Sequence, residues 1–154
     1  MREYRYRVDA EGRVFHDGSE IVDPPTLRFF LLAMTRTPEG RWLAVCQGER
    51  NWFEPEETPF VVQRVRPVIR DGGIEALELV LAGEYREPLD PETLDSACGR
   101  LRCRVRRGAF PARFGRLALQ QLGPHLRDEG GQAVLVLGGR RYPILERERT
   151  PELT

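Results

Sequence analysis

Gly40-Arg41-Trp42-Leu43-Ala44-Val45-Cys46-Gln47-Gly48-Glu49-Arg50-Asn51-Trp52-Phe53 is echoed near the other end of the chain by Gly131-Gln132-Ala133-Val134-Leu135-Val136-Leu137-Gly138-Gly139-Arg140-Arg141-Tyr142-Pro143-Ile144. Overlaid without gaps, Gly40 meets Gly131, Val45 meets Val136, Gly48 meets Gly139 and Arg50 meets Arg141. Each copy reads as an apolar strand, a glycine-bearing hairpin turn, an arginine and an aromatic-bearing return strand.

Working outward, each copy is preceded by an amphipathic helix. Asp23-Pro24 reads as an N-cap with proline in the first turn, and Leu27, Phe30, Leu31 and Met34 recur on one helical face. Pro111 is the expected start of the second helix, with Phe114, Leu117, Ala118 and Leu122 as its apolar stripe. Tyr4 to Val8 alternates like a half-buried strand, and Arg13 to His16 returns from the Gly12 turn. Phe60 to Ile69 predicts one long strand, with Pro67 arguing for an edge or a bulge. Asp71-Gly72-Gly73 turns it into Glu75 to Leu81, and Arg100 to Arg107 alternates arginines with Leu101, Cys103 and Val105.

Short turns between strands predict antiparallel pairing, since parallel strands need longer crossovers. The expected class is α+β: two pseudo-repeated units, each an antiparallel sheet carrying one amphipathic helix. The first unit spans 1–69 and the second 70–146, sharing one core, and 147–154 is expected to be a frayed tail.

At 154 residues the chain is long enough to bury a core without staples. Net charge is zero, and all 24 basic residues are arginine. No apolar run is long enough for a membrane helix, and Met1 to Arg7 lacks the apolar region of a secretory signal, so a cytoplasmic protein is expected. Cys46, Cys98 and Cys103 are irregularly spaced, and neither His16 nor His125 has a partner at ligand spacing, so no metal and no cofactor are expected.

Two stretches carry a family likeness. Arg2-Glu3-Tyr4-x-Tyr6-x-Val8-Asp9-x-x-Gly12-x-x-Phe15-x-Asp17, together with Cys46-x-Gly48-Glu49-Arg50-Asn51 before Trp52, resembles the family catalogued as domain of unknown function 4505, whose eukaryotic members include mitochondrial proteins. The order of elements from Tyr6 to Ile144 is similar to domain of unknown function 1285. That second resemblance implies an α+β fold with repeated motifs and a signalling or ligand-binding role. Neither implies an established activity or catalytic residues.

Glu49, Arg50 and Asn51 form the sharpest constellation: an acid, a guanidinium and an amide at a hairpin turn can bind a carboxylate or phosphate. Their structural alternative is local bonding, with Asn51 supplying a positive φ. Arg50 and its equivalent Arg141, with Arg140 beside it, are the candidate ligand-binding arginines. The Arg100–Arg106 series could track a nucleic-acid backbone, but no aromatic interleaves with it. Zero net charge favours pairing with Glu75, Glu78, Glu84 and Glu87 instead.

The function expected from the sequence is a non-enzymatic binding or regulatory module with a groove for a small anionic ligand or a peptide. The alternative is a protein-interaction or homodimerisation domain acting through exposed strand edges. An enzyme using Cys46 with His16 or His125 is the third reading.

Overall fold

The computed structural model describes residues 1–147. In chain order it begins with β1 (Glu3–Val8), β2 (Val14–His16), β3 (Ser19–Ile21), α1 (Pro24–Ala33), β4 (Met34–Arg36), β5 (Trp42–Cys46) and β6 (Glu49–Pro55). Next come β7 (Val61–Val62), β8 (Arg64–Arg70), β9 (Gly73–Val80), β10 (Arg86–Pro88), β11 (Asp95–Ala97), β12 (Arg100–Val105) and β13 (Phe110–Phe114). The chain continues through α2 (Arg116–Leu122), β14 (Leu126–Glu129), β15 (Gln132–Leu137), β16 (Arg140–Pro143) and β17 (Leu145–Arg147). Among the described residues these strands make four sheets, ordered β3-β2-β1-β6-β5-β4, β10-β9-β8, β17-β11-β12-β13-β7 and β14-β15-β16. The fold is α+β.

Most neighbouring strands are antiparallel, as short turns require, but three pairs are parallel: β1 with β6, β11 with β17, and β7 with β13. Each joins segments far apart in sequence, with helices and other strands serving as the crossover. The expectation of purely antiparallel sheets is corrected at these three places.

Both quoted hairpins form, and they close alike. Cys46 pairs Glu49 and Leu137 pairs Arg140 around two-residue turns. The turn residues are left-handed in both, at φ 49 and 78 for Gln47 and Gly48 and 55 and 79 for Gly138 and Gly139. The preceding strand lies antiparallel to the first arm in each case, β4 on β5 and β14 on β15. Beyond that the surroundings differ. On β6 the outward Arg50 N–H donates to Arg2 O at 2.9 Å, and β1 continues the sheet. On β16 Pro143 stands where β6 has Trp52; a proline offers no N–H to a further strand, and β16 ends its sheet.

Helix α1 follows the expected pattern. The Asp23 carboxylate accepts from Thr26 N, and Phe30 and Leu31 are buried. It stops at Ala33 because Met34–Arg36 is drawn into β4, where Met34 stays buried on the core side. The second helix begins later than Pro111, which lies in β13. From Arg113 N–H bonding Phe60 O and Gly115 N–H bonding Val62 O, Pro111 directs its missing N–H away from β12. Its ring therefore removes no bond from the β12–β13 ladder. Gly115 has no side chain to cap α2, and the Glu11 carboxylate does so from the far end of the chain, accepting Arg116 N–H at 2.9 Å.

The single strand expected from Phe60 to Ile69 is two strands. Gln63 separates β7, in the five-stranded sheet, from β8, the edge of a three-stranded one with a bulge at Val68/Ile69. One apolar cluster joins all four sheets, running from Val8, Phe30 and Phe53 through Phe60, Leu77 and Leu79 to Val105, Leu122 and Leu135. The 69/70 division falls within the β8–β9 hairpin, so the apolar cluster continues across it. Arg147, where the tail was expected to begin, is paired in β17, and 148–154 lies outside the described residues.

Candidate functional site

The five-stranded sheet sets the geometry. Along β12, Cys103 and Val105 turn into the core, leaving the arginines on the opposite face. Registered pairing places Leu145, Asp95, Arg102 and Arg113 in one row across β17, β11, β12 and β13. Asp95 binds two arginines at once, Arg102 Nε at 3.3 Å and Arg147 Nε at 2.8 Å. The Asp95 and Arg102 side chains are only 16% and 17% exposed. Their pairing is therefore screened less by water than an exposed one.

This face borders a groove of about 540 Å³. Its lining combines Arg36, Arg102, Arg104 and Arg147 with Glu92 and Asp95 and with apolar Trp42, Leu94 and Phe110. Local packing fixes the pieces. Arg36 donates Nε to Gly40 O and lies 4.9 Å from the Trp42 ring, which meets Phe110 edge-on at 5.5 Å. Arg104 donates Nε and Nη2 to the carbonyls of Gly108 and Ala109. Its own backbone N–H is held by the Thr93 hydroxyl. A second groove, of about 670 Å³, lies on the other side of Arg104, where Tyr85, Glu87 and Asp90 face Arg106 and Arg107.

The acids partnering the arginine strand differ from those expected. Arg100 pairs with Glu57 and Arg102 with Asp95, while Glu75, Glu78 and Glu84 engage Arg70, Arg86 and Arg64. Glu87 accepts the backbone N–H of Arg106, just past the end of β12. The cause is topological: β12 pairs with β11 and β13, whereas the acid-rich β9 and β10 belong to another sheet.

The hairpin-turn candidates lie elsewhere, and none of Glu49, Arg50, Asn51, Arg140 or Arg141 lines either groove. Glu49 accepts the Tyr4 hydroxyl, Arg50 is exposed, and Arg141 pairs with Glu129 at 2.8 Å. Asn51 is buried, its Nδ2 donating to Ala44 O at 3.0 Å; the positive φ at this turn belongs to Gln47. Arg140 is exposed in β16.

Other titratable groups are bound into the fold. Burial pushes the Cys103 thiol up, with the Glu87, Asp95 and Asp90 charges adding, so it stays protonated. Burial also pushes the Tyr85 phenol up, and its hydroxyl donates to Glu87 Oε1 at 2.6 Å. His125 is pushed down by burial and by Arg127, which favours the neutral ring. Arg127 donates to the carbonyls of Pro124 and Leu126. His16 contacts the Tyr4 and Tyr6 rings.

Sequence reading missed Arg36, Arg147 and Asp95 as site residues. They lie in three strands separated by more than fifty positions, with no shared motif, and only the β11–β17 and β11–β12 registers bring Asp95 to its two arginines.

An α+β protein with an arginine-lined groove on a five-stranded sheet is what the fold and site define. No family model matches the chain, and no curated protein matches it. Among solved structures it is similar to a family 1285 domain-of-unknown-function protein from Silicibacter pomeroyi DSS-3. That similarity has 20% identity and a TM-score of 0.65 over 93% of this chain and 82% of that one. It is also similar to a protein of the same family from Shewanella baltica OS155, at 11% identity and a TM-score of 0.58, over 77% of this chain and 90% of that one. Both likenesses speak to the fold, and both fall in the second family the sequence resembles; neither carries the first. No helix among the described residues is long and apolar enough to cross a membrane.

Proposed function

We propose that this chain is a cytoplasmic, non-enzymatic binding module that takes a small anionic ligand in the groove between β17, β12 and Trp42. One observation carries it: four arginines and two acids share the groove lining with apolar Trp42, Leu94 and Phe110. Guanidinium forks suit carboxylate and phosphate oxygens, and the apolar side chains suit the body of an organic anion. The likeness to domain of unknown function 4505 rests on the stretches from Arg2 to Asp17 and from Cys46 to Trp52, and it adds no chemistry to this groove.

The test is a thermal-shift panel of carboxylated and phosphorylated metabolites on the wild type and on Arg147→Gln, which lines this groove only. A ligand at 100 times its Kd stabilises by ~2.7 kcal/mol, and Arg147→Gln is expected to abolish most of that gain. No hit, together with a stable dimer by light scattering, favours the second reading, a self-pairing interaction domain. Its support is the β8 edge, where Val68 and Ile69 are 40% and 66% exposed. The stretch from Phe60 to Val65 offers no such edge, because Phe60, Val61, Val62 and Val65 are buried.

A further inference from the structure

The turn joining β12 to β13 has a backbone that local sequence does not call for. Arg106, Arg107 and Gly108 are consecutively left-handed, at φ 52, 59 and 79. That region suits glycine and disfavours arginine, and backbone held there tends to mark ligand-binding positions. Arg106 is accounted for by packing. It donates to the carbonyls of Leu31 and Met34 at the end of α1, and its guanidinium lies 5.0 Å from the Phe110 ring.

Arg107 has no such anchor. It is exposed, and among the described residues no carboxylate pairs with it or with Arg104, whose guanidinium is held only by neutral carbonyls. The two acids of this groove keep their charge but are outnumbered by Arg104, Arg106 and Arg107. Glu87 Oε1 accepts both the Tyr85 hydroxyl and the Arg106 N–H, and Asp90 Oδ1 caps the 3-10 turn at Pro91–Thr93 by accepting Glu92 N–H.

We propose that this second groove is a separate oxyanion site for a phosphate-class ligand, with Arg107 as its free clamp and Arg104 as the wall it shares with the first groove. The strained turn presents Arg107 beside these acids. Two guanidinium groups without carboxylate partners then meet an anion offering several oxygens.

The site is tested by NMR titration of the full chain with inorganic phosphate and with pyrophosphate, at ionic strength matched by chloride, following the Arg107 and Gly108 amides. Saturable shifts are expected in the wild type, with affinity about 10-fold weaker in Arg107→Gln. Arg147→Gln, which touches only the first groove, is expected to leave them unchanged, so the two grooves fail or stand separately. Arg107→Gly is expected to lose the anion while its Tm rises, because glycine accepts the left-handed backbone. Absence of saturation in the wild type, or equal affinity in Arg107→Gln, overturns the proposal.

Discussion

Gly83→Ala tests how α1 is seated. Gly83 lies in the 3-10 turn Ala82–Glu84 at φ +71, and its carbonyl accepts Arg28 Nη1 at 2.7 Å. A Cβ built there would stand 2.4 Å from Arg28 N and 2.5 Å from Pro24 O. Both are helix backbone atoms, so no side chain can swing aside to make room. The left-handed conformation costs alanine about 1–2 kcal/mol, and forcing a methyl into filled space adds about 1–3 kcal/mol. The expected loss is therefore about 2–5 kcal/mol, a fall in Tm on the order of 10 °C for a chain of this size. Gly99→Ala is the matched control. Gly99 has φ +74 with nothing within 4 Å of the added Cβ, so it should lose only the conformational part. Urea unfolding of both variants measures the difference. Equal losses would refute the claim that close approach to α1, beyond backbone handedness, requires glycine at 83.

Asn51→Ala should lose about 0.5–1.5 kcal/mol, since it removes the buried side-chain bond from Nδ2 to Ala44 O; a chemical denaturation midpoint within error of wild type would count against the structural role given to Asn51. Asp9 should make the protein acid-sensitive. Burial alone would raise its pKa, but hydrogen bonds from the Arg13 backbone and side chain and from Glu11 N–H outweigh it, and the net shift is downward from 3.8. A depressed folded pKa means the stabilisation is full above the ordinary aspartate value and is lost as pH falls through the lower folded one. Asp9→Asn should flatten that part of the stability curve below about pH 4, and an unchanged acid limb would show the loss arises elsewhere.

Much of the scaffold was legible because it rests on local chemistry. Asp23-Pro24 opens α1, and the Gln47-Gly48 and Gly138-Gly139 pairs supply the left-handed turns. The errors share another cause. Pro111 suits a helix start or a strand equally well, and only the side on which β7 joins β13 decides that its missing N–H is harmless. Gln63 looks like one more polar residue in a β-branched run, yet the chain changes sheets there. The groove was hidden because Arg147 reaches Asp95 through a parallel pairing that local patterns do not encode, while Arg102 reaches it across the β11–β12 hairpin. Glu49-Arg50-Asn51 stood out through its polarity, but its amide was already committed to holding its own hairpin.

The placement of β17 also sets an order of events during synthesis. Leu145 and Arg147 form one bank of the first groove, and they dock on β11 only after the fifty residues that follow Asp95 have been made. Domains emerging from the ribosome fold from the N-terminal side forward. A nascent chain halted before residue 145 could assemble the β1–β6 sheet yet would lack that bank, so the groove is completed only when β17 is added.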